Sequence, residues 1–279
     1  MKKRILKIMA FVAALVLIIG VGVLVNGLVG NPISKMLAER TAKKHLEETY
    51  KDKDYYIERV SFSFKTTSYY AYVESPSSKD SSFTLTIGMD GKLLLDSYES
   101  QVLERWNTAE RIDEEYRNAV KTVLQSLGFP EESCMGYGRI EFIPKQYAKE
   151  PDVPEYAIIT DDLELDALYD VNEFASKAGC IWVEFSDSNV TEEYLAEMIL
   201  KVKDAMDQAG IKFYVIDCVL QAPKAEDGTW QEERLDVIDF LYSDIYDEGM
   251  LERVRIAIQE TDEYYQEQDA LKKEEEISK

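Results

Sequence analysis

Residues 60–95 read VSFSFKTTSYYAYVESPSSKDSSFTLTIGMDGKLLL, and the alternation within them decides the first fold unit. Val60, Phe62 and Phe64, then Tyr69, Ala71 and Val73, then Phe83, Leu85 and Ile87 alternate with polar residues, the pattern of half-buried antiparallel strands. Turn-rich linkers at 66–68 and 75–80 separate them. Asp90-Gly91 supplies the positive φ of a tight hairpin into a fourth strand at 93–95. Upstream, Asn31-Pro32 has the form of an N-cap followed by proline at the first helical position. Ile33, Leu37, Ala42, Leu46 and Tyr50 then mark one face of a helix of about 18 residues. A helix on a four-stranded meander over 31–104 is a complete small domain.

Further upstream lies IMAFVAALVLIIGVGVLV at 8–25, with no charged residue and about the length needed to cross a ~30 Å hydrocarbon core. Lys2, Lys3, Arg4 and Lys7 all precede it, which by the positive-inside rule keeps the N-terminus cytoplasmic and places everything after Asn31 outside. Residues 1–30 therefore read as a basic stub and transmembrane helix. A cleaved signal peptide is the alternative, but its apolar stretch is usually about 7–15 residues and ends in a small-x-small site, which the exit VLVNGLVG at 23–30 lacks.

Downstream, a helix starting at Asn107, with Glu110 reaching back to the cap, carries Ile112, Tyr116, Val120, Val123, Leu124 and Leu127 on one side before Gly128 and Pro130 stop it. A strand at 139–142 and Pro144, Pro151 and Pro154 follow, giving a helix and linker region over 105–155. The rest alternates: helix 165–177, strand 180–185, helix 191–209, strands 211–220 and 235–242, and a helix from about Glu248. In the third of these Asn189 and Glu192 form a capping box, Tyr194, Leu195, Met198, Ile199, Val202 and Met206 the buried face, and Gly210 the stop. The fold class is α+β: one transmembrane helix, a helix-plus-meander domain, and a second, sandwich-like α+β domain over 156–265, with a charged tail at 266–279 and fraying expected over 259–279.

The net charge is −22, and because the first thirty residues hold four basic groups and no acid, residues 31–279 carry −26. Such a field repels nucleic acid and anionic lipid and suits cationic partners or plain solubility. Cys134, Cys180 and Cys218 imply no disulfide framework, though one bridge between two of them is open; Cys180 and Cys218 sit in apolar runs, as small buried hydrophobes do.

Chemical motifs are sparse. His45 is the one histidine, so no histidine triad or multi-histidine metal site can form, and the three cysteines show no C-x-x-C pair. No nucleotide-binding glycine loop occurs. The acidic run TDDLELD at 160–166 offers oxygens for a hard cation, with Asp187 and Asp217 at strand ends, but its spacing departs from the helix-loop-helix calcium motif, and acids at a helix N-terminus explain Asp161, Asp162 and Glu164 equally well. Tyr55, Tyr56, Tyr69, Tyr70 and Tyr72 in the meander suit either a peptide- or glycan-binding face or ordinary strand propensity.

GNPISK at 30–35, AKKHLEE at 42–48, SPSSKD at 75–80 and WNTAER at 106–111 resemble the YfjL-like family of membrane-anchored bacterial proteins. The resemblance covers the anchor and residues 28–125, with a looser C-terminal match; it implies the topology and the domain layout and transfers no catalytic residue. The helix-plus-meander is also similar in outline to PepSY-type exported modules. Together these readings point to a non-enzymatic, membrane-anchored, extracytoplasmic binding or regulatory module of the bacterial envelope. Its expected contacts are the membrane through 8–25 and an envelope protein or cationic peptide, without nucleic acid or cofactor. No catalytic residue is assigned, and metal binding is left open. The alternatives are an envelope enzyme using carboxylates or a metal at Asp161, Asp162, Asp166, Asp187 and Asp217, and a structural subunit of a membrane complex docked through residues 259–279.

Overall fold

The computed structural model describes residues 2–127, 134–151 and 153–277. The chain divides into two compact units, residues 1–108 with 163–166, and residues 109–162 with 167–279.

In the first unit, α1 (Lys2–Val29) is long and apolar enough to cross a membrane, and the described part of that stretch is not buried against the protein. The next helix, α2 (Pro32–Thr49), follows after a sharp break. Gly30 at φ 74° makes the break, and a side chain there would meet the Tyr69 hydroxyl at 2.5 Å and the Phe62 ring at 2.9 Å, so only glycine fits. Asn31 caps α2 by accepting the Ser34 N–H at 2.8 Å.

Beside α2 lies an antiparallel meander of β1 (Tyr56–Ser63), β2 (Ser68–Ser75), β3 (Ser78–Gly88) and β4 (Leu93–Asp96), in that spatial order. Tyr69, Ala71, Val73, Phe83, Leu85 and Ile87 point inward as their alternation requires. The turn between β2 and β3 is tighter than the 75–80 linker suggests, because Ser78, Lys79 and Asp80 already belong to β3. The buried face of α2 is Ser34, Ala38, Ala42 and Leu46: Ala42 and Leu46 as the sequence stripe expects, but Ser34 and Ala38 in place of Ile33 and Leu37; Ile33 is 67% exposed. Small alanines let the helix approach the sheet, while Leu37 packs under the Gly91 hairpin turn, at the edge of the sheet.

In the second unit, β5 (Cys134–Ile140), β8 (Gly179–Ser186), β9 (Val215–Gln221) and β10 (Arg234–Leu241) form a mixed sheet in the order β10-β9-β8-β5. β8 and β9 run parallel, joined across α5 (Glu192–Ala209), and the outer pairs are antiparallel. A short parallel pair, β6 (Phe142–Ile143) with β7 (Ile158–Ile159), stands apart from it. The remaining helices are α3 (Trp106–Ser126), α4 (Val171–Ala178) and α6 (Met250–Ile277). Helix α3 packs directly on β5 because Gly138 has no side chain; a Cβ there would fall 2.6 Å from Val120 and 2.8 Å from Tyr116.

Several helix boundaries differ from the expected ones, each for a local reason. Asn107 does not cap α3: the helix starts one residue earlier, after Arg105 in the left-handed region, and the Asn107 amide donates to the carbonyls of Asp80 and Ser82 instead. Thr191, and not Asn189, caps α5 through the Tyr194 N–H, while Asn189 turns back to Asp187. Helix α4 begins only after Asp166, at φ 61°, and Asp170 as its cap. Residues expected to fray remain helical to Ile277, and Gly128 and Pro130 lie outside the described residues. Cys180 and Cys218 are buried thiols, as small hydrophobes in a sheet.

Candidate functional site

The site grows from an irregularity at the edge of the second sheet. Between Val237 and Phe240 the register of β10 against β9 shifts, and Asp239 sits at φ 51°, uncommon for a residue with a side chain. The bulge is held from three directions. The Asp239 N–H donates to Asp217 on β9 at 2.9 Å, its carboxylate accepts the Tyr156 hydroxyl at 2.7 Å, and the Ile238 N–H donates to Thr261 on α6 at 3.2 Å. A local strain so well supported turns Asp239 outward, off the regular pleat.

Asp217 links this bulge to a half-buried ionic group. Its Oδ2 accepts the Cys180 thiol at 3.4 Å and lies 3.9 Å from Arg139, which in turn sits 2.5 Å from Glu141 in an ion pair without hydrogen-bond alignment. Burial raises the Asp217 carboxyl above its ordinary range; the Asp239 N–H works against that rise and the Asp239 charge adds to it. Burial likewise raises Glu141, with Arg139 pulling the other way. The Cys180 thiol is pushed up by burial and then by the Asp217 charge, so it stays protonated and is a poor nucleophile. Tyr156 is raised by burial and by its bond to Asp239. Burial works against the Arg139 charge, and the Glu141 and Asp217 carboxylates outweigh it.

Above the bulge opens a cavity of about 590 Å³, within the size range of small-ligand sites. Pro151 and residues 153–156, with β9, β10 and α6, form its walls. Its interior is apolar and aromatic, with Val215, Ile238 and Leu241 beside Tyr156, Tyr214 and Tyr264; the rings of Tyr156 and Tyr214 meet at 5.0 Å, tilted 56°. Exposed Glu155, Asp239 and Glu260 stand at its rim, and no lysine or arginine is among its described lining. Such a place can hold an amphipathic ligand by burial and cation–π contact.

The model of the YfjL-like N-terminal domain matches residues 5–97, and that of the YfjL-like C-terminal domain matches residues 115–255. The chain belongs to the YfjL-like family. Among solved structures it is similar to the crystal structure of a DUF5037 family protein from Ruminococcus gnavus ATCC 29149, at 14% identity over 79% of this chain and 98% of that one, with a TM-score of 0.23. No curated protein matches.

In this YfjL-like chain the acids singled out from the sequence do not converge. Asp161 accepts the Lys145 N–H, Asp166 accepts the Asp80 N–H, Asp187 accepts from Asn189 and Tyr194, and only Asp217 belongs to the group beside the cavity. Asp161 and Asp162 lie in a single 3-10 turn, Thr160–Asp162, and not at the start of α4, which begins at Val171. No cluster able to hold a metal ion occurs among the described residues. His45 binds Asp96 at 2.7 Å, where Asp96 also accepts the Tyr50 hydroxyl, and so ties α2 to β4. The meander tyrosines divide by environment: Tyr69 is core, Tyr55 joins an aromatic group with Tyr50, Phe83 and Tyr98, Tyr72 carries Arg59 at 4.1 Å, and Tyr56 reaches Glu74 at the surface. Sequence reading missed Tyr156, Asp239, Glu260 and Tyr264. One signal was present, since the apolar alternation of Leu235 and Val237 skips a position to Phe240.

Proposed function

We propose that the protein is a non-enzymatic binding module, tethered to a bacterial membrane by α1 with both domains outside, and that its C-terminal domain receives the ligand. The observation that carries this reading is the cavity over the Asp239 bulge, whose aromatic interior and acidic rim rest on a braced, strained turn of the sheet. The chemistry beneath it favours holding over reacting, because the Cys180 thiol and the Tyr156 hydroxyl are both shifted towards their protonated forms. The basic residues of the first turns of α1, Lys2, Lys3, Arg4 and Lys7, support the outward orientation.

The test is hydrogen exchange on the full chain in phosphatidylcholine nanodiscs, with and without three probe sets: mixed-sequence short peptides, cell-wall fragments and small amines. Slower exchange confined to residues 153–156, 238–241 and 260–268 with any set is the expected result. Unchanged exchange there with all three would overturn the reading.

A further inference from the structure

We infer that the cavity over Asp239 takes the cationic side chain of a lysine- or arginine-bearing polypeptide, a ligand class that rests on the binding reading above. Lysine and arginine combine an apolar stem with a charged head, so they need an apolar wall beside a negative rim. Val215, Ile238 and Leu241 supply the wall, and the rings of Tyr156, Tyr214 and Tyr264 offer π-faces to a cation. Rim charge decides the sign.

Elsewhere in the same domain some acids have cationic neighbours: Asp236 pairs with Arg234, and Glu192 and Glu193 with Arg255. The carboxylates of Glu155 and Glu260, in contrast, have no ion-pair or hydrogen-bond partner among the described residues, and both face the one cavity. The Asp239 side chain is hydrogen-bonded to Tyr156 alone among the described residues. The Gln268 amide at the edge carries the donor and acceptor a peptide backbone uses, which favours a polypeptide over a free amine. The strongly negative chain would also draw such a ligand from a distance.

The experiment is calorimetric titration of the full chain in phosphatidylcholine nanodiscs with acetyl-Lys-Lys-Lys-amide, acetyl-Arg-Arg-Arg-amide, acetyl-Glu-Glu-Glu-amide and spermidine. Binding of the two cationic peptides, absence of binding by the acidic one, and a severalfold weakening between roughly 50 and 300 mM salt are expected. The double variant Asp239→Asn, Glu260→Gln should weaken both peptides at least about tenfold; asparagine tolerates the left-handed backbone, so the bulge survives. Tyr264→Ala, at an exposed helical position, gives an independent loss of the aromatic contact. Equal affinity in the double variant would overturn the inference, and spermidine binding as tightly as trilysine with the same variant loss would overturn the polypeptide assignment. Should cell-wall fragments or neutral peptides protect residues 238–241 while the cationic peptides do not bind, the cation assignment falls and the binding reading stands. If no probe acts at the cavity, both fall.

Discussion

The hydroxyl of Tyr69 accepts the backbone N–H of Asn31 and donates to the carbonyl of the same residue, both at 2.9 Å. A buried tyrosine in the middle of the meander therefore clamps the residue at which the chain leaves α1 and begins α2. Asn31 also holds Asn26 through its side-chain amide at 2.7 Å, so the junction is braced on both sides. Tyr69→Phe removes the clamp and leaves the Asn31 N–H without a partner, while the Asn31 carbonyl still accepts the Lys35 N–H. The expected cost is about 1–3 kcal/mol in denaturant unfolding of the full chain in detergent, with the C-terminal domain unaffected.

Gly138→Ala should be more damaging than an alanine usually is in a strand. The new methyl would press on Val120 and Tyr116 across the α3–β5 contact, and Tyr116 cannot swing away because its hydroxyl donates to the Lys212 carbonyl at 3.0 Å. Overpacking of this kind costs about 1–3 kcal/mol, read as a lowered melting temperature. An unchanged melting temperature would mean that α3 stands further from the sheet.

Asp217 sets a pH dependence with a definite sign. Its folded carboxyl is raised, so as pH climbs through the ordinary carboxylate range the unfolded chain loses its proton first and stability falls; once pH is below that range both states are protonated and the penalty vanishes. An asparagine in place of the acid carries no such penalty and keeps an oxygen for the Asp239 N–H. The melting temperature of Asp217→Asn, relative to the native protein, should therefore rise between about pH 4 and pH 7. A difference that shrinks with pH would contradict the assignment.

Much of the first domain was legible because its signals are local. Alternation in β1, β2 and β3, the Asn31 cap and the Asp90-Gly91 hairpin each lie within a few residues, and so do the capped, striped α5 and its Gly210 stop. The α2 stripe held at Ala42 and Leu46 but was misphased in its first turns, because Ile33/Leu37 and Ser34/Ala38 compete there and only the sheet decides between them. The site was illegible for a different reason. Tyr156 meets Asp239 across 83 residues, and Asp166 exchanges backbone and carboxylate bonds with Asp80 across 86, so no window of sequence contains either pair. A bulge was written in the spacing of Val237 and Phe240, but what it faces depends on the placement of α6 and residues 153–156.

Sidedness can be read with a single new thiol. Leu168 is 88% exposed, and Cys180 and Cys218 are buried, so Leu168→Cys in a Cys134→Ser background is the accessible thiol. A membrane-impermeant maleimide should label it in intact cells as fast as in lysed ones, with the protein retained in membranes after an alkaline wash. Labelling only after lysis would reverse the topology.

The most direct measurement is occupancy of the cavity in living cells. A photo-crosslinking residue at Tyr264, on the wall of the cavity, is compared with the same residue at Leu168, which does not line it. Ligand binding at the cavity predicts a defined adduct from position 264, absent from position 168 and lost in the Asp239→Asn, Glu260→Gln background. No adduct at 264, or the same adduct at both positions, would contradict it.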